Sequence, residues 1–150
     1  MRVLIQRVSE ANVKVANEIK GAIGKGMLIL LGIEGDDQEE DIQYLCNKLK
    51  SLRIFNDADG KMNLSAKELE CNFLVISQFT LHASTKKGNR PSYIKAARPE
   101  IAEPLYEKFI QSLQLATNTK VQTGIFGTDM KVSLINDGPV TILIDSKNKE

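Results

Sequence analysis

The sequence predicts an α+β fold: one domain over residues 1–150, built on a mixed, mostly antiparallel β-sheet with two main helices covering one face. Three observations carry this. Runs in which apolar and polar residues alternate recur at both ends of the chain, the period of a half-buried strand. Only two segments show the i, i+3, i+4 spacing of a helix with a buried stripe. A length of 150 residues, 42% of them hydrophobic, suffices for one core and would leave a second domain cramped. With the helices on one side, the other sheet face needs a cover, and a copy of itself is a generic solution, so the sheet is expected to pack in a twofold dimer.

Residues 1–8 and 11–16 read as paired strands, and a glycine-rich turn around Gly21, Gly24 and Gly26 leads into a buried strand from Met27 to Ile33. A helix follows. Asp36 and Asp37 are placed to cap it, Glu39 and Glu40 suit the positive end of its dipole, and Ile42, Leu45, Leu49 and Leu52 recur at helical spacing. Residues 53–56 form a short strand, followed by a polar turn at Asn56 to Gly60 and an irregular stretch to Asn72. Phe73 to Ile76 is a continuous apolar run suited to a strand buried on both faces. Pro99 opens the second helix at its first position, Pro104 lies near the first turn, and Ala102, Leu105, Phe109 and Leu113 make the stripe. Three strands at about 119–125, 129–136 and 140–145 close the domain, leaving 146–150 as a flexible polar tail.

Composition narrows the function classes. Twenty Lys and Arg against 19 Asp and Glu give a net charge of +1, which is no general nucleic-acid coat, so any RNA contact must be local. One window fits: His82 to Pro99 holds Lys86, Lys87, Arg90, Lys95 and Arg98 and no acid, a patch able to neutralise phosphates or simply a solvated cationic loop. No apolar run approaches the roughly 20 residues of a membrane helix, and a signal-peptide core is lacking, so the chain is expected to be soluble, cytoplasmic and free of membrane. Cys46 and Cys71 are isolated and His82 is the sole histidine, which argues against a disulfide framework or a metal site. Gly21 to Gly26 imitates a phosphate loop, but Met27 stands where Lys is needed and a strand follows where a helix should. Asp57-Ala58-Asp59-Gly60 imitates a calcium loop, but Phe55 and Ala66 then occupy the first and last ligand positions. No cofactor is expected.

Two segments stand out chemically. The Phe73 strand ends in Ser77-Gln78-Phe79-Thr80, two hydroxyls and an amide where a rigid strand gives way to a loop. Gly138-Pro139 lies between runs alternating at Met130, Val132, Leu134 and at Val140, Ile142, Ile144, where Asn136-Asp137-Gly138 alone would make a turn. A trans proline in a surface turn and a cis bond presenting both neighbouring carbonyls are both open.

Ser77-Gln78-Phe79-Thr80-Leu81, Asn136-Asp137-Gly138-Pro139-Val140-Thr141 and Ile5-Gln6-Arg7-Val8 together resemble the signature of the D-aminoacyl-tRNA deacylases. Arg53-Ile54-Phe55, Gly60-Lys61-Met62-Asn63-Leu64, Arg90-Pro91-Ser92 and Gln122-Thr123-Gly124 extend the likeness nearly end to end. The resemblance implies a homodimeric, cofactor-free hydrolase of the ester between a D-amino acid, or glycine, and the 3′-terminal ribose of tRNA. It places Ser77, Gln78, Phe79 and Thr80 in the catalytic site. Gly138 and Pro139, inserted into the partner's pocket, would hold the α-amino group with their carbonyls and exclude an L side chain, with Arg7 as brace. Lys86, Lys87 and Arg90 become the tRNA contacts. Thr80 would attack the ester, or water would do so with Phe79 and Thr80 N–H groups facing the oxyanion; no activating base for Thr80 is visible, which favours water. His82 is read as a loop residue outside the motif. Two alternatives remain: a non-catalytic RNA-binding module using the basic loop, and an editing domain for misattached L-serine.

Overall fold

Mostly antiparallel strands build the sheet, and two helices lie on one of its faces, as the sequence predicts. The computed structural model describes residues 1–149: β1 (Arg2–Val15), β2 (Glu18–Ile23), β3 (Gly26–Gly32), α1 (Glu39–Ser51), β4 (Phe55–Asn56), β5 (Met62–Leu64), β6 (Asn72–Ser77), a 3-10 turn (Phe79–His82), α2 (Pro99–Thr117), β7 (Val121–Thr123) and β8 (Lys131–Asp145). The main sheet runs β2-β1-β3-β6-β7, with β8 also paired to β1, and β4 and β5 form a small ribbon. β6 is parallel to both β3 and β7. Side-chain alternation on β3 and β6 feeds two cores. Met27, Ile29, Leu31, Phe73 and Val75 face the helices with Leu45, Leu49, Phe109 and Leu113, while Leu28, Leu74 and Ile76 point the other way.

That other face is where the structure departs most from expectation. The two strands read at residues 1–16 are one, β1, whose first half pairs with β3 and whose second half pairs with β2. Breaks in its register with β8, on either side of Val8, bend it. Val8, Ala11 and Val13 of β1 and Ile23 of β2, joined by Met130, Val132 and Leu134, thereby cover Leu28, Leu74 and Ile76. Part of the face that sequence left to a second copy is covered by the chain's own strands.

β2 itself replaces the expected glycine turn. At Gly21 a Cβ would sit 2.6 Å from the Thr123 carbonyl oxygen, so this glycine admits the β7 backbone, while the reversal is made at Ala16 and Asn17, both at positive φ. Gln38, not Asp36 or Asp37, is the N-cap of α1, and its N–H donates to the Asp41 carboxylate at 2.8 Å. Asp37 is instead buried, accepting from the Met1 ammonium at 2.5 Å. On α2 the second stripe position is Tyr106 rather than Leu105, because its hydroxyl reaches the Val75 carbonyl at 2.8 Å. The Cys46 thiol of α1 is buried against the Phe109 carbonyl of α2, which pushes its pKa up to about 12 and leaves it a packing group.

The strands expected at 129–136 and 140–145 are one strand, β8, running antiparallel to β1 throughout. Val8 pairs with Asn136 and Gln6 with Thr141, so Arg7 alone faces residues 137–140, and Gly138-Pro139 is the crest of a four-residue bulge rather than a hairpin turn. The tail also starts later than predicted. Ser146 is buried: its N–H donates to the Met1 carbonyl at 2.9 Å and its hydroxyl to Asp41 at 2.5 Å. Glu150, the last residue of the expected tail, lies outside the described residues. Among the described residues no helix is long and apolar enough to cross a membrane.

Candidate active site

β6 ends at the edge of a cavity of about 570 Å³. Ser77, Gln78 and Phe79 form one wall, Leu31, Ile33 and Ile76 the floor, the Ala96–Pro99 approach to α2 a second wall, and the loop from Phe126 to Met130 a third. The chain turns sharply here because Gln78 leaves strand geometry while its N–H still donates to the Leu31 carbonyl at 2.7 Å. Leu81 N–H then bonds back to the Gln78 carbonyl at 3.2 Å, starting the 3-10 turn. The preceding N–H groups, those of Phe79 and Thr80, have no acceptor within the turn and open onto its start. Outside the cavity Arg2 pins the turn, donating to the Leu81 carbonyl at 3.0 Å and to Asp145 at 2.7 Å. Burial alone would raise the Asp145 carboxyl, but Arg2 and the N–H groups of Lys147 and Asn148 hold it well below the usual carboxylate range.

Three of the four residues assigned to catalysis line this cavity, and Thr80 does not. Its hydroxyl accepts a hydrogen bond from the Gln78 side-chain amide. An amide N–H cannot take a proton from a hydroxyl, so this partner orients Thr80 without activating it. His82 offers no base either, since its ring is buried and directed to Glu34.

Arg7 and the Gly138-Pro139 bulge form a second constellation. The Arg7 guanidinium is buried and donates to the Asp137 carbonyl at 2.8 Å, to the Ile54 carbonyl at 2.6 Å and to Asn56 Oδ1 at 3.2 Å, tying the bulge to the ribbon of β4. The Asn136 side chain accepts from Val140 N–H at 2.9 Å and closes the bulge from within. The Gly138-Pro139 bond is cis, and both residues are exposed. Neither lines the cavity beside Ser77–Phe79 of the same chain.

Lys86, Lys87 and Arg90 are exposed on the loop between the 3-10 turn and α2, and none of them pairs with a carboxylate among the described residues. Sequence reasoning missed Tyr93 and the Phe126–Met130 wall, and it placed Arg98 in the basic window without placing it at the cavity. Tyr93 stands edge-on to Phe79 with ring centroids 5.0 Å apart, making an aromatic lip of two partly exposed rings. Gly124 stands just before this third wall, and a Cβ there would collide with the Met130 sulfur, a close approach that the sequence does not show. Glu34, Asp36 and Asp37 come together as an acidic cluster, but the Met1 ammonium and Lys147 already answer its charge.

Comparison with known proteins supplies the context for this geometry. A family model described as D-Tyr-tRNA(Tyr) deacylase matches residues 4–145. A D-aminoacyl-tRNA deacylase of Bacteroides fragilis (strain YCH46) is 65% identical over 150 residues, covering all of both chains, and one of Akkermansia muciniphila is 59% identical with the same coverage. Among solved structures, one described as c-Myc DNA unwinding element binding protein superposes with a TM-score of 0.92 at 37% identity, over 97% of this chain and 98% of the other. A probable eukaryotic D-amino acid tRNA deacylase superposes at 0.83 over 95% and 97% of the two chains, and at 17% identity it speaks for the fold alone. With a matching model along nearly its whole length and relatives so similar from end to end, the chain belongs to the D-Tyr-tRNA(Tyr) deacylase family.

Proposed function

We propose that this protein hydrolyses the ester between a D-amino acid, or glycine, and the 3′-terminal ribose of tRNA, and spares L-aminoacyl-tRNA. The observation that carries the reading is the Ser77–Phe79 wall, a family motif set at a cavity where the strand passes into the 3-10 turn, whose first backbone N–H groups have no acceptor within the turn. Water attacks the ester carbonyl, the Phe79 and Thr80 N–H groups face the developing oxyanion, and Ser77 and Gln78 orient the reacting groups. Thr80 keeps the Gln78 amide in place. Lys86, Lys87 and Arg90 meet tRNA phosphates.

Gly138 and Pro139 act on the partner's cavity in a homodimer. Their exposure, and their absence from the lining of their own cavity, favour this arrangement. Their carbonyls accept from the substrate α-ammonium, and with ester and amine both fixed an L side chain runs into backbone.

D-tyrosyl-tRNA and L-tyrosyl-tRNA are the discriminating substrates. Loss of the D ester alone is expected; binding without cleavage returns the protein to an RNA-binding module, and release of L-serine from threonine tRNA makes it an editing domain. For the shared site, a Gln78→Ala/Thr80→Ala chain is mixed equally with a Gly138→Val chain. If subunits exchange randomly, half the dimers are mixed and each has one intact site, so about a quarter of wild-type activity returns. No recovery, despite exchange, removes the cross-subunit assignment.

A further inference from the structure

His82 is a buried group that this reaction leaves unused. Its side chain is fully enclosed at the end of the 3-10 turn, and neither ring nitrogen has a hydrogen-bond partner among the described residues. Enclosing two polar atoms without partners is costly. The group that meets the ring is Glu34, with a carboxylate oxygen 3.4 Å from Nδ1. An imidazole in its protonated form turns that approach into an ion pair; a neutral ring makes of it a weak contact.

The surroundings give the pair leverage on the cavity. At Gly32 a Cβ would lie 3.0 Å from His82 Cδ2 and Nε2 and from Leu81 Cβ, so the end of β3 backs directly onto the turn. Two residues later Glu34 bridges to Ala96, and the Ile33 carbonyl accepts from Ala97 N–H at 2.9 Å. The His82–Glu34 contact therefore ties the wall carrying Ser77–Phe79 to the wall at Ala96–Pro99, behind the floor at Leu31 and Ile33, while neither residue itself lines the cavity. Other charges nearby are already engaged. Asp37 accepts from Glu34 N–H at 2.7 Å and holds the Met1 ammonium, Lys147 pairs with Asp36 and Asp37, and Arg2 is committed to Asp145 and the Leu81 carbonyl. On the loop that follows the turn, Lys86, Lys87, Arg90, Lys95 and Arg98 are exposed.

We propose that His82 is a positioning residue: protonated and paired with Glu34, it holds the Phe79–Thr80 turn where deacylation needs it, so that the proton on the chain's single histidine sets turnover. The activity half of this rests on the deacylase reading above; the structural half does not.

Because the chain has one histidine, its imidazole resonances need no assignment. Histidine NMR titration of wild type and Glu34→Gln, read beside the Phe79 and Thr80 amide shifts, tests the latch; kcat and KM on D-tyrosyl-tRNA against pH test its consequence. The imidazole midpoint is expected to fall in Glu34→Gln, and the two amides to follow the wild-type titration. Below that midpoint wild-type kcat should exceed that of Glu34→Gln by about tenfold, converging above it, with KM unchanged. His82→Gln should lose the same pH dependence; where it fails to fold, Glu34→Gln, at a partly exposed position, carries the test. A ring that does not titrate in the folded protein, a midpoint indifferent to Glu34, or a kcat ratio constant with pH overturns the proposal. Should wild type cleave no D-tyrosyl-tRNA, the deacylase reading fails, and the latch is then upheld or overturned by whether the amides follow the imidazole.

Discussion

Single residues set the chemistry at both constellations. The Thr80 hydroxyl is bound to an amide and has no base, so its contribution is one neutral hydrogen bond. Thr80→Val should lower kcat by no more than about tenfold, since such a bond is worth about 1 kcal/mol. No acyl-enzyme should be trapped in wild type; mass spectrometry of a quenched reaction checks this, and an acylated Thr80 would reverse the assignment. Gly138 is constrained differently. Its φ of 141° belongs to a region essentially reserved for glycine, and a Cβ there would stand 2.8 Å from Val140 Cγ2 and 3.0 Å from an Arg7 guanidinium nitrogen. Gly138→Ala should cost about 1–3 kcal/mol, visible as a lower melting temperature, and should depress activity by displacing Arg7. An alanine variant melting and cleaving like wild type would show that the bulge relaxes freely.

Elements are held at the site by bonds between chain ends. The Arg2–Asp145 pair joins the first residues of β1 to the last of β8, and the same guanidinium holds the 3-10 turn. Since the folded Asp145 carboxyl titrates below its unfolded value, the pair stabilises the fold above about pH 4 and loses that contribution as pH falls toward the folded value. Asp145→Asn should therefore melt below wild type at neutral pH, with the gap closing under acid. Thermal melts from about pH 2 to about pH 7, across the carboxylate titration, read this directly. A gap that stays constant down to the lowest pH would remove Asp145 as its source.

At the scale of the whole molecule the charges nearly cancel, 20 against 19, so tRNA affinity must be concentrated where the basic loop concentrates it. Replacing Lys86, Lys87 and Arg90 with Gln should weaken tRNA binding and reduce the slope of log K against log salt by about 0.7–0.9 for each phosphate that is no longer neutralised. Filter binding at several salt concentrations decides it, and an unchanged slope returns the loop to solvent. The fold should be unaffected, because all three side chains are exposed.

Local pattern alone identified the doubly buried strand at Phe73–Ile76, the stripe Ile42, Leu45, Leu49 and the proline start of α2, because periodicity and capping chemistry act over a few neighbouring residues. Ordered motifs identified the family and the segments Ser77–Thr80 and Asn136–Thr141. Sequence could not show that residues 1–16 form one bent strand, that 131–145 form another, or that Gly138-Pro139 crests a bulge facing Arg7, since register belongs to the pairing of strands more than a hundred residues apart. Nor could it remove Asp37 from its cap or enclose His82 beside Glu34. Those outcomes depend on which charges and cavities the closed sheet brings together, and only the tertiary structure decides that.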